Sequence, residues 1–389
     1  MTENIRKLLI LTLVFLGAYF IPFESNYVKA AIMEAFYMLQ YYAREHVLTC
    51  LIPAFFIAGA IANFVSQGAV LKYFGAQANK LLSYSVASVS GILLAVCSCT
   101  ILPLFAGIYQ RGAGIGPAIA FLYSGPAINI LAITLTARVL GFELGLARAI
   151  GAIIFAIIIG LIMATIYKKE DQEKTAGSFD MGDQEENRSP YQNILYFVTM
   201  VIILLIMTMN EPADADSIWA LLFDVRWYVA IGLLIILGIM IVSWFNKQER
   251  ISWVESTWSF AWQIFPLLFA GVFVAGLLMG RPESDAGLIP AHYIEALVGG
   301  NSVQANFIAS IIGAFMYFAT LTEVPILEGL IGSGMGSGPA LSLLLAGPAL
   351  SLPNMLVIRG VLGTRKTAVF VVLVVVMATI SGLIYGNFF

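Results

Sequence analysis

Long apolar blocks, separated by short polar steps, set the architecture of this chain. Blocks long enough to cross a hydrocarbon core occupy residues 8–22, 47–66, 85–108, 116–137, 145–167, 192–209, 227–245, 258–279, 303–330, 338–358 and 367–387. Each is expected to be helical, because lipid offers the backbone no other hydrogen-bond partner. Residues 24–45 set Glu24, Lys29, Glu34, Arg44 and Glu45 among aromatic and aliphatic residues, the pattern of an amphipathic helix lying at a membrane surface. Residues 286–298 read the same way, and His46 and His292 belong to these two interfacial segments. The stretch 168–191, KKEDQEKTAGSFDMGDQEENRSP with its neighbours, is polar and charged and reads as a flexible linker. No small-residue cleavage site follows the first block, which therefore reads as a membrane helix and not as a signal peptide.

Proline and glycine interrupt two regions in the same way. From Cys97 to Asn129, Pro103, Gly107, Gly112, Gly114, Gly116, Pro117, Gly125 and Pro126 break an otherwise apolar stretch. A purely structural membrane helix has no use for so many breakers. A shift of 222 residues, without a gap, lays Pro103 on Pro325 and Gly107 on Gly329. The same shift lays Gly112, Gly114, Gly116 and Pro117 on Gly334, Gly336, Gly338 and Pro339, and Gly125-Pro126-Ala127 on Gly347-Pro348-Ala349. Eleven of the 25 positions from Pro103 to Ala127 are identical, where this composition gives about two by chance, so the segment is duplicated. Paired breaker-rich apolar segments in two halves point to a transport site.

Composition narrows the class. The chain is 60% hydrophobic and 11% charged, and a soluble domain carries about twice that charge. A net charge of −3 offers nothing to nucleic acid. Lysine and arginine then orient the chain. If Arg6 and Lys7 are inside and all eleven blocks cross, Lys247 and Arg250 fall outside and the acidic loop of Glu211, Asp214 and Asp216 falls inside, which reverses the rule. If one member of each broken pair re-enters without crossing, Lys72, Lys80, Lys168, Lys169, Lys247, Arg250, Arg359, Arg365 and Lys366 all lie inside. Only Arg138 and Arg148 then violate the rule. The expected fold is an all-α polytopic membrane protein of two inverted repeats, each with a re-entrant Gly/Pro-rich hairpin, with about nine full crossings plus two re-entrant segments. The divisions are 1–46 (first helix and interfacial helix), 47–167 (first repeat), 168–191 (linker), 192–257 (two extra membrane helices) and 258–389 (second repeat).

Candidate chemistry sits in the duplicated segments. Cys97 and Cys99 flank Ser98, and a kinked backbone can bring such thiols together where a regular helix points them about 200° apart. Two thiolates in an apolar cavity select a soft ion or metalloid, and Cys50 could add a third only if its helix packs nearby. As plain residues, free cysteines are small buried hydrophobes, which is the simpler reading of Cys50. Three cysteines form no disulfide framework, and a Cys-Ser-Cys bridge would be strained. In the second half the chain offers Glu323 and Glu328, at the positions matching Ile101 and Ala106. A carboxylate at mid-membrane costs about 2.5–3.5 kcal/mol on insertion scales and marks an ion, proton or substrate path. The competing reading places both in a solvated loop. Arg111 is a candidate partner for either glutamate or for an anion, or a snorkelling loop arginine. Asn129, like its counterpart Ser351 and nearby Asn354, could bind substrate, although satisfying local backbone is the simpler role. The glycine runs lack the Lys-Ser/Thr and strand–helix context of a phosphate loop, and the two histidines lie away from the motifs, so neither a nucleotide site nor a histidine-ligated metal is expected.

The Cys97-Ser98-Cys99, Pro103-Leu104, Ala106-Gly107-Ile108-Tyr109, Arg111-Gly112-Ala113, Gly116-Pro117-Ala118, Phe121-Leu122 and Ser124-Gly125-Pro126-Ala127-Ile128-Asn129 elements resemble the ArsP/YraQ-like family of predicted permeases. The resemblance extends over the membrane-embedded halves. It implies outward movement of trivalent organoarsenicals through a cysteine-containing pathway in the inner, or plasma, membrane. A monosubstituted trivalent arsenical accepts two thiolates, whereas arsenite prefers three, so two thiols in one motif favour the organic form. Together these readings give a multi-pass secondary transporter and not an enzyme, with no cofactor. Its partners are the bilayer, a small thiophilic solute and protons exchanged in antiport through Glu323 or Glu328. Two alternatives remain at this level: a transporter of a small sulfur species or soft divalent metal, and a membrane-embedded thiol oxidoreductase, which lacks the usual Cys-x-x-Cys spacing.

Overall fold

A computed structural model describes residues 19–64, 79–94, 98–128, 130–171, 190–209, 218–281, 286–289, 297–316, 323–332 and 334–388, with scattered positions between 8 and 16. Among the described residues the regular elements are helices, with isolated bridges from Gly299 and Gly300 to Met335. Among the described residues, four helices are long and apolar enough to cross a membrane alone: Phe142–Ile166, Leu221–Trp244, Lys247–Leu278 and Thr364–Phe388. Three bent pairs raise this to seven if each counts as one span. The chain is thus an all-helical, polytopic membrane protein.

The 222-residue offset of the sequence reappears in the helix boundaries. The first half contains α1 (Asn26–Tyr42), α2 (Ile52–Phe64), α3 (Lys80–Leu94), α4 (Ser98–Gln110), α5 (Ile115–Ala127), α6 (Ile130–Val139) and α7 (Phe142–Ile166). After α8 (Pro190–Met207) and α9 (Ile218–Trp244) come α10 (Lys247–Met279), α11 (Val303–Phe315), α12 (Glu323–Gly332), α13 (Ser337–Leu350), α14 (Leu352–Leu362) and α15 (Thr364–Phe388). Adding 222 to the ends of α7, 142 and 166, gives 364 and 388, the ends of α15. Two glycine turns repeat with the helices. Gly112 (φ 98°) and Gly334 (φ 106°) reverse the chain before α5 and α13, and Gly141 (φ 106°) and Gly363 (φ 84°) do so before α7 and α15. Only glycine adopts such backbone without strain.

The described residues of the run 85–108 belong to two helices, α3 and α4, and those of the run 303–330 to α11 and α12. The α5–α6 and α13–α14 pairs bend by 45° and 46°. Pro126 and Pro348 sit in the last turns of α5 and α13, where each lacks a backbone donor and crowds the preceding turn. A third bend, of 49°, joins α1 to α2 through a π-helical stretch, Ala43–Leu51. Pro53 follows at once and cannot bond back to residue 49, a recognised cause of such a bulge. Residues 26–45 therefore belong to the first arm of a bent pair, Asn26–Thr49, which buries one face through Ala31, Glu34, Ala35, Met38 and Tyr42 and leaves the other exposed. The expected interfacial segment 286–298 lies mostly outside the described residues.

The breaker-rich helices occupy the centre. Every residue of α5 is buried, as is α13 from Gly338 onward. Such close burial needs small residues at the crossings. Helices α5 and α7 meet at Gly116 and Gly160: a Cβ on Gly160 would lie 2.7 Å from the Gly116 carbonyl oxygen. Their counterparts Gly338 and Gly382 repeat the crossing between α13 and α15, at 2.5 Å. Tyr84 fills the first crossing, and Asn306 with Ser342 the second, where the Ser342 hydroxyl donates to Asn306 Oδ1 at 3.0 Å. Across the centre, Tyr123 Oη donates to the carbonyl of Leu345, its own repeat counterpart, at 2.7 Å.

Polar contacts fasten the periphery. Glu34 on α1 is buried and takes Arg281 through Nε at 2.9 Å and Nη2 at 3.0 Å, and Tyr37 stacks beneath the guanidinium. The charged stretch after α7 does not begin as free linker. Residues 168–171 remain helical, and the buried Asp171 accepts from Ile115 N at 2.7 Å, capping α5. Glu170 meets Lys366 of α15 at 2.7 Å. Residues 172–189 lie outside the description. Helix α10 runs unbroken across the expected boundary at 257/258 and packs against α1, α2 and α14.

The crossing glycines give a direct test. Gly382→Ala places a Cβ 1.9 Å from Ser342 Oγ and 2.5 Å from the Gly338 carbonyl, so it should destabilise the detergent-purified protein by about 1–3 kcal/mol in thermal unfolding. Gly232→Ala, on an exposed stretch of α9 with nothing within 4 Å, should leave the midpoint unchanged.

Candidate functional site

Glu323 opens α12, just beyond the break that follows α11. It is fully buried, and the charge that meets it comes from the other half of the molecule. Arg148, on α7, is equally buried and forms an ion pair through Nη2 with Glu323 Oε1, across 175 residues of sequence. Its Nη1 donates to Thr136 Oγ1 on α6 at 2.9 Å, and the threonine hydroxyl in turn donates to the Ala132 carbonyl at 2.7 Å. Helix α12 packs against α6, and α6 against α7, so three elements hold the pair. Two polar atoms at its heart, Arg148 Nε and Glu323 Oε2, make no hydrogen bond among the described residues.

The repeat shows what this arrangement costs and what it is not for. The 222-residue shift places Phe370 opposite Arg148, Ile101 opposite Glu323 and Ile358 opposite Thr136, and all three are buried apolar side chains. The fold thus accepts hydrophobic residues at these places. Taking two charges out of water costs several kcal/mol per ion, and a well-packed apolar set is often no less stable. The polar trio in one half is therefore an addition to the fold and not a requirement of it.

The remaining candidates are distributed unevenly. Glu328 is exposed, five residues along α12 and so about 140° around the helix from Glu323. Arg111 does not pair with either glutamate. It is half-buried in the turn after α4, and its Nε donates to the Ile61 carbonyl of α2 at 3.2 Å. Ser351 and Asn354 are buried at the α13–α14 break, yet Ser351 Oγ and Asn354 Oδ1 make no hydrogen bond, so they do not serve as local backbone caps. Cys97 and Asn129 lie outside the described residues, as do the side chains of Ser98, Cys99 and Cys50. Sequence reasoning did not select Arg148 or Thr136. Arg148 nevertheless left a trace, as one of two cations that the expected arrangement of crossings could not place inside; it is buried in protein, paired with a carboxylate.

Removing one member of the pair leaves the other charged and buried, at a cost of about 3–5 kcal/mol. Arg148→Met and Glu323→Leu made singly should therefore sharply reduce the yield of monodisperse, folded protein. The combined Arg148→Met/Glu323→Leu variant should recover it. Size-exclusion profiles and unfolding midpoints in detergent decide the matter.

Comparisons with known proteins bear on the same region. A family model described as a predicted permease matches residues 32–387. The UPF0718 protein MJ0584 of Methanocaldococcus jannaschii is 46% identical over 348 residues, covering 89% of this chain and 93% of the relative. The UPF0718 protein YraQ of Escherichia coli is 19% identical over 294 residues, covering 75% of this chain and 63% of its own. No solved structure matches. With a permease model spanning the broken helices and the buried ion pair alike, the chain belongs to the ArsP-type family of predicted permeases and is a membrane transporter.

Proposed function

We propose that this permease exports trivalent organoarsenicals or similar thiophilic metalloid compounds in exchange for protons. The observation that carries the reading is the Arg148–Glu323 pair: a buried charge bridge between the two halves, from the long helix α7 to the short helix α12, at positions where the repeat itself uses apolar residues. Intramembrane ionisable pairs of this kind line ion and substrate paths. The thiol motif has the matching place in the other half. Cys97 and Cys99 stand four and two residues before Ile101, the counterpart of Glu323. A hydrated arsenical, R–As(OH)2, exchanges its two hydroxyls for two thiols with release of two waters, which gives the cysteines a means of holding cargo reversibly. A proton taken up by Glu323 neutralises it and loosens its hold on Arg148, linking proton entry to the contact between the halves.

The same reading gives the halves an inverted relation about an axis in the membrane plane, with nine crossings and two re-entrant segments in the inner membrane. Reciprocal contacts support it. Helix α5 packs on its counterpart α13 and α7 on α15, while α6 meets α12 as α14 meets α4. Alternating access then becomes a rocking of one half against the other, about the bridge that joins them.

Cells sensitive to arsenicals and expressing this chain should grow in a methylated or aromatic trivalent arsenical at concentrations that stop the parent strain. Cys97→Ser and Cys99→Ser should each abolish that growth at unchanged membrane abundance. Resistance retained in both variants would remove the thiols from the mechanism.

A further inference from the structure

The ion pair is incompletely used. Arg148 offers five donors; Nη2 goes to Glu323 and Nη1 to Thr136, but Nε makes no bond. Glu323 accepts at Oε1, and Oε2 makes no bond. Both residues are fully buried, where an unmet polar atom carries its whole desolvation penalty. Half-satisfied networks are rare in native interiors, and a donor and an acceptor left over on the same pair describe the complement they lack.

That complement can be specified chemically. The pair is neutral as a whole, so an anion would add an uncompensated negative charge beside Glu323, and a cation an uncompensated positive charge beside Arg148. A neutral group with one acceptor and one donor is the chemical complement of both atoms. A hydroxyl is the smallest such group, accepting from Nε–H and donating to Oε2. Apolar side chains flank the pair on its own helices: Val324 and Leu327 beside Glu323 on α12, and Leu144 and Ala152 beside Arg148 on α7, are all buried.

We propose that Arg148 and Glu323 form a recognition site for an undissociated hydroxyl group, and that the cargo is a neutral, apolar-bodied solute bearing such a hydroxyl. This rests on the reading of the chain as an exporter of trivalent organoarsenicals and deepens it. The hydrated form R–As(OH)2 is neutral and hydroxylated, so the dyad holds the acid before the thiols displace its hydroxyls. Recognition by the dyad requires no thiol chemistry and extends to a hydroxylated analogue that thiols do not attack.

Two probes separate the two claims. Phenylarsonous acid carries hydroxyls on a thiophilic centre, and phenylboronic acid carries them on a centre with little affinity for thiols. Binding is measured as thermal stabilisation of the full-length, detergent-purified protein. Both probes should stabilise the wild-type chain. Arg148→Lys keeps the charge and removes Nε, and should weaken the binding of phenylboronic acid by about tenfold or more, the worth of one charge-assisted hydrogen bond. The charge-balanced Arg148→Gln/Glu323→Gln variant controls for misfolding and should lose the same response. Cys97→Ser and Cys99→Ser should leave phenylboronic acid binding intact. Phenylarsonous acid binding that depends on the cysteines and ignores the dyad would overturn the inference and spare the export reading. Failure of phenylboronic acid to stabilise the wild type would overturn it as well. Dyad-dependent binding of both probes, indifferent to both cysteine changes, would uphold the inference and sink the thiol mechanism.

Discussion

A buried charge can persist inside a membrane protein only if another charge meets it, and that constraint ties the two halves of this permease together. Arg148 and Glu323 lie 175 residues apart and are both sealed from solvent. Neither tolerates separation from the other, because each alone would be an uncompensated charge in an apolar interior. Helices α7 and α12 are thereby held in register, with α6 carried along through Thr136. The repeat supplies an internal control: Phe370, Ile101 and Ile358 fill the corresponding places without any charge. The two repeats are similar frames, and one carries a polar centre that the other does without.

Close approach of backbones makes that centre possible. Lipid provides little hydrophobic force between helices, so small residues at crossings and good packing carry the association. The Gly116–Gly160 and Gly338–Gly382 crossings bring α5 onto α7 and α13 onto α15 almost at backbone contact. Any Cβ there would drive the helices apart. The prolines act in the opposite sense. Pro126 and Pro348 end α5 and α13 inside the structure, leaving Ser351 and Asn354 buried at a break with unmet oxygen atoms. Tight crossings and internal breaks thus divide the labour between holding the frame and exposing polar groups within it.

Charged residues outside the centre follow the same economy of pairing. Glu34 is buried on α1 because Arg281 covers it with two hydrogen bonds. Asp171 is buried because it stands at the N-terminus of α5, where backbone donors and the helix dipole favour a carboxylate. Both were read from composition as surface or linker residues, since polar residues in a polar stretch give no sign of burial. Only a partner makes burial affordable, and both partners are distant in the sequence.

The sequence by itself determined the helical class, the long membrane-crossing blocks and the 222-residue repeat, because these rest on local rules. Apolar length demands helix in lipid, and the repeat is read from residue identities at a fixed offset. Glu323 was also legible, as a carboxylate stranded in an apolar run. Tertiary structure alone decided its partner. Arg111 was the candidate partner but spends its Nε on the Ile61 carbonyl, while Arg148, outside the breaker motif, reaches Glu323 across the interface of the halves. Pairing of buried charges depends on which helix faces meet, and no local pattern encodes which faces those are.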